Sequence, residues 1–75
     1  MNRTQVSVFH SEDLDLKAIV YYDINTDGYE VDYGKNGLII ATESYENHSL
    51  RYHEDAAENY VIGIKKLDES EMSKV

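Results

Sequence analysis

Between Thr42 and Leu50 the apolar residues of this chain change their spacing from two to three and four. Spacing by two lines one face of a strand, and spacing by three and four lines one face of a helix, so the change restricts the fold sharply. Before it, Leu14, Leu16, Ala18, Val20, Tyr22 and Ile24 share one face, and Asp15, Lys17, Ile19, Tyr21 and Asp23 share the other. Tyr29, Val31 and Tyr33 continue the inner face, followed by Leu38, Ile40 and Thr42. Residues 25–28 and 34–37 separate these runs as turns, because Gly accepts positive φ and Asn and Asp bond their own backbone. Val6, Val8 and His10 have inner-face parity too, and a loop at residues 11–13 would pair Val8 with Leu16 and add an earlier strand. After the change, Leu50, His53, Ala57, Tyr60, Val61, Ile64 and Leu67 form the stripe of an amphipathic helix. Ser49 is its N-cap, Glu54 and Asp55 suit its start, and Lys65 and Lys66 suit its end near Leu67. The expected fold class is α+β: an antiparallel three- to four-stranded β-meander with one C-terminal helix packed on one face. Residues 1–67 form one small domain, and residues 68–75 are expected to be a disordered tail.

A chain of 75 residues holds one domain at most, and without cysteine it has no disulfide to supplement a small core. Fifteen acidic against seven basic residues give a formal net charge of −8. That charge repels a phosphate backbone, so direct nucleic-acid binding is not expected, whereas a basic protein partner is permitted. No apolar run reaches the roughly 20 residues of a membrane span, so no membrane contact is expected. Met1, Asn2 and Arg3 lack the basic-then-apolar start of a signal peptide, and a cytoplasmic location is expected.

No cofactor, metal or catalytic residue is expected. Asp23, Asn25, Asp27 and Gly28 reproduce the first half of an EF-hand calcium loop, but Gly34 stands where the bidentate carboxylate belongs. A hairpin turn explains the same residues, and millimolar calcium should leave them unchanged. His53, Glu54 and Asp55 are adjacent, so a helix points them apart; His53 on the apolar stripe reads as a core-edge histidine, not a general base. The outer sheet face carries more information. There Tyr21 is expected opposite Asp32 and Ile39, and Asp23 opposite Glu30 and Ala41. Asp15, Asp23, Glu30, Asp32 and Glu43 would then rim a centre of Ile19, Tyr21, Ile39 and Ala41, with Lys17 the one positive charge. An apolar centre with a polar rim is the usual layout of an interface. Ile19, Tyr21, Asp23, Glu30, Asp32 and Ile39 are the expected partner-binding residues.

Residues 17–33 and 50–65 resemble short uncharacterised proteins of marine cyanobacterial phages. That resemblance implies a phage accessory protein made in the bacterial host cytoplasm. Strands followed by a helix containing Glu54, Ala57 and Glu58 are also similar in order to integrase arm-binding DNA domains. Those read DNA with basic residues on the sheet, and here the sheet is acidic, so architecture transfers and function does not. The expected function is a non-enzymatic protein-interaction module that binds a host protein, or a second copy as a homodimer, through the sheet face. The alternative is an acidic inhibitor that imitates the charge of DNA against a nucleic-acid-binding enzyme. Steep weakening by salt would mark the alternative.

Overall fold

The computed structural model describes residues 3–45 and 48–64. Four strands, β1 (Arg3–Ser11), β2 (Leu16–Asp23), β3 (Gly28–Lys35) and β4 (Leu38–Glu43), form one antiparallel sheet in sequence order. The helix α1 (Leu50–Val61) lies across β1, β2 and β3 on one face. This is the α+β meander that the apolar periods demand. The core forms where the two layers meet: Ala18, Val20, Val31 and Tyr33 from the sheet, and Ala57, Tyr60 and Val61 from the helix. Alanine at positions 18 and 57, both fully buried, keeps the layers close, and the Tyr33 and Tyr60 rings meet at 4.8 Å.

Every turn departs from the expected one, and the departures set the registers. The β1–β2 loop spans residues 12–15, closed by Ser11 opposite Leu16, with Asp15 at φ 54°. This reverses the expected parity of β1. Phe9 opposes Ala18 and packs against the core, while Val8 opposes Ile19 on the outer face and stays half exposed. Ser7, opposite Val20, shares the inward parity of Phe9 and donates its hydroxyl to Glu54 on the helix; a bulge at Val6 then switches the parity, so that Gln5 and Arg3 join the outer face opposite Tyr21 and Asp23. The physical reason is Phe9, whose ring buries more apolar area than Val8 can.

The β2–β3 turn spans residues 24–27, one position earlier than expected, so Tyr21 opposes Glu30 instead of Asp32, Tyr22 opposes Tyr29, and Ile24 is exposed. Asp23 initiates it by accepting the Asn25 N–H at 2.8 Å, and Asp27 closes it at φ 52° while accepting the Tyr22 hydroxyl at 2.5 Å. The two aspartates of the calcium-loop resemblance are thus engaged in building a hairpin.

Asn36 and Gly37 form a two-residue turn, both at positive φ, in place of the expected four-residue one. Lys35 then pairs with Leu38 and Gly34 with Ile39, a bulge leaves Ile40 unpaired, and Tyr33 pairs with Ala41. The bulge turns Ala41 inward and Thr42 outward, the reverse of the expected assignment, and leaves Leu38 and Ile40 exposed instead of buried.

Ser49 caps the helix by accepting the Tyr52 N–H, as expected. The helix ends at Val61, short of Leu67. Gly63 at φ 87° donates to the Tyr60 carbonyl, and the Ile64 N–H donates to the Asn59 carbonyl, a Schellman closure that turns the chain away. Ile64 is consequently exposed. Lys65, Lys66, Leu67 and the expected tail at residues 68–75 lie outside the described residues.

Candidate outer-face docking site

Strand alternation puts Lys17, Ile19, Tyr21 and Asp23 of β2 on the face away from the helix. Across β3 they oppose Gly34, Asp32, Glu30 and Gly28 in that order. The expected binding residues therefore share one face, but in a different arrangement. Asp23 opposes a glycine and is spared the like charge of Glu30; Tyr21 opposes Glu30, and Ile19 opposes Asp32. Ile39 opposes Gly34 two strands from Lys17.

One residue that the sequence reading did not select organises the centre. Arg3, opposite Asp23 at the start of β1, places Nε 3.3 Å from a Glu30 oxygen and a terminal nitrogen 2.9 Å from an Asp32 oxygen. Its guanidinium lies 3.9 Å from the centroid of the Tyr21 ring. Thr42 donates a hydroxyl bond to the other Asp32 oxygen at 2.7 Å. Burial works against the Arg3 charge, yet the hydrogen bond and charge of Asp32, with Glu30 and Tyr21, carry it above its ordinary value. These contacts close the face over Ile19 and Asp32, which are only 8% and 7% exposed. The expected open acidic rim is therefore corrected: two of its acids are neutralised within the chain, and its apolar centre is partly covered. The one available signal was a basic residue near the start of a strand bordering an acidic face, and it is unreadable until the β1 register is known.

Removing Arg3 leaves Glu30 and Asp32 side by side without a counter-charge. Arg3→Ala should lower stability by on the order of 1 kcal/mol, a partly exposed ion-pair network being worth little more. Urea unfolding of Arg3→Ala, Asp32→Asn and the double variant measures it. A double variant as unstable as the sum of the single ones would show that the pair does not interact.

Two depressions, each of about 350 Å³, lie on either side of this network. The first is lined by His10, Asp15, Lys17, Ile19, Gly34, Gly37, Leu38 and Ile39. Gly34 forms its floor because a Cβ there would meet the Leu38 carbonyl at 3.2 Å and the Ile39 side chain at 3.4 Å. Around it Val8, Leu38 and Ile39 remain exposed, Ile39 at 53%. The second sits by the β2–β3 turn and is lined by Asp23, Thr26, Asp27, Gly28, Tyr29, Glu30, Ser44, Tyr45 and His48. Its carboxylates face aromatic rings that continue inward through Tyr52 to His53.

His53 is fully buried, deeper than the core-edge position expected for it. Its Nδ1 donates to the Ser49 carbonyl at 2.8 Å and its Nε2 accepts the Tyr45 N–H at 3.3 Å. Both ring nitrogens are thereby committed to holding the β4–α1 connection against the helix. Among the described residues, no group of three or more His, Asp or Glu side chains is arranged to hold a metal ion. No helix among them is long and apolar enough to cross a membrane. No family model matches the chain, and comparison with curated proteins and with solved structures returned no match.

Proposed function

We propose that this protein is a non-enzymatic interaction module that docks a protein partner on the outer face of its sheet. The supporting observation is the depression above Gly34, where Ile39 and Leu38 stay exposed beside the buried Ile19, with Val8 exposed opposite Ile19 on the neighbouring strand. Clustered exposed apolar side chains usually mark an interaction site. On the outer face the carboxylates of Glu30, Asp32 and Asp23 are engaged by Arg3, Thr42 and the Asn25 N–H, which suits recognition better than proton transfer. The resemblance of residues 17–33 and 50–65 to cyanophage proteins supports a host protein as the partner and the bacterial cytoplasm as the compartment. Charge imitation of DNA ranks lower, because Arg3 neutralises two of the acids at the centre of the face.

Ile39→Asp tests this reading. The side chain is more than half exposed, so the variant should melt within about 0.5 kcal/mol of the parent. It should nevertheless lose capture of the partner from host lysate, at low and at high salt alike. A wild-type chain that captures nothing and stays monomeric, with Ile39→Asp indistinguishable from it, would reduce this face to solvated surface.

A further inference from the structure

We infer that the outer edge of β4, along which no other described strand pairs, accepts an extended, basic and apolar segment of the partner as an added strand. The inference rests on the docking reading above and specifies its mode and its occupant. In the sheet order β4 is terminal, and the helix lies over the other three strands. Edge strands in stable proteins are commonly guarded by lysine, proline, a bulge or a covering element. Between Leu38 and Glu43 there is neither lysine nor proline, and the bulge at Ile40 is the single guard in the strand itself. Leu38, Ile39 and Ile40 are 69%, 53% and 39% exposed in succession, an apolar run on the terminal strand of the described sheet.

The two depressions lie at the two ends of this strand. Leu38 and Ile39 line the apolar one, and Ser44 and Tyr45, immediately beyond Glu43, line the acidic one. Six residues of strand span about 17 Å, so a paired peptide of similar length reaches both. Backbone bonding along the edge supplies affinity without sequence preference, and pockets for particular side chains supply the preference. An aliphatic side chain fits beside Ile39. A guanidinium or ammonium group fits among Asp23, Asp27 and Glu30 against the Tyr29 and Tyr45 rings. Glu30 already holds one guanidinium, that of Arg3, against a tyrosine ring. The net charge of −8 decides between occupants: two copies pairing edge to edge would repel, whereas a basic segment is attracted.

The test uses a synthetic peptide of about eight residues, alternating valine and threonine, with arginine at both ends. Two controls carry glutamate at both ends, or arginine with alternate backbone nitrogens methylated. Titration followed by amide shifts should saturate along β4 and at Tyr45 with the first peptide and fail with both controls. Asp23→Asn with Asp27→Asn keeps the turn acceptors and removes two charges, and should weaken the arginine peptide about tenfold. Absence of saturable shifts, or equal binding of the methylated peptide, would overturn strand addition. So would sedimentation as a dimer with β4 amides already protected, which would make a second copy the occupant. If Ile39→Asp still abolished partner capture in those cases, the docking reading would stand and the edge inference alone would fall.

Discussion

Tyr33→Ala should unfold this domain at room temperature. Tyr33 is fully buried on β3, its ring 4.8 Å from that of Tyr60 and its hydroxyl 3.1 Å from that of Tyr45. Truncating a buried aromatic side chain costs about 3–5 kcal/mol. A core of this size, with no disulfide, supplies about that much in total. Far-ultraviolet circular dichroism should show loss of both sheet and helix. A cooperative native transition in Tyr33→Ala would show that the domain holds a larger reserve than its core implies. Tyr33→Phe keeps the ring and should remain folded, weakened by about 1 kcal/mol for the lost hydroxyl contacts.

The same residues set the alkaline limit. Burial pushes the phenols of Tyr33 and Tyr60 up from their ordinary value, for Tyr33 with added contributions from Tyr45 and Glu43. Tyrosine in the unfolded chain ionises near pH 10. Above that pH the unfolded chain releases protons that the native chain retains, so stability falls as pH rises. The contribution of these groups is fully present below about pH 10 and is lost progressively as pH climbs toward the raised native values. Urea midpoints taken across that range check the sign; a midpoint that rises above pH 10 would contradict it.

His53→Ala is the second variant expected to have a large effect. The imidazole is fully buried, ringed by Tyr29, Tyr45 and Tyr52, with Nδ1 bonded to the Ser49 carbonyl and Nε2 to the Tyr45 N–H. Alanine leaves a cavity and deprives Tyr45 of its acceptor, a combined cost of roughly 2–4 kcal/mol. The effect should reach the acidic depression, because Tyr45 forms one of its walls. Amide exchange should therefore accelerate at Tyr45 and around Ser49 more than in β2. His53→Phe fills the space without making either bond and separates the two causes. If His53→Phe melts like the parent while His53→Ala does not, the imidazole is filler only; if both melt like the parent, neither its volume nor its bonds hold the fold.

Helix, meander and N-cap were readable because each depends on neighbours in sequence. Apolar spacing selects the element, and a serine one residue before the helix can bond its first turn without help from elsewhere. The outer face was readable as a set of residues for the same reason: Ile19, Tyr21 and Asp23 alternate with a buried row, whatever the register.

The pairings within that face were decided by tertiary structure. A shift of one residue in a turn moves every cross-strand neighbour. Here the choice among turns depended on which side chains the helix could cover. Phe9 overrode the parity of Val6 and Val8 because it fills the core beside Ala18, and the Ile40 bulge brought Ala41 under Tyr33. Only in that register does Arg3 reach Glu30 and Asp32, which turns an apparent acidic rim into an internally neutralised one. Local sequence determined the elements and their faces through short-range periodicity and capping. Packing of the helix against the sheet decided register, and register alone decides which charges meet.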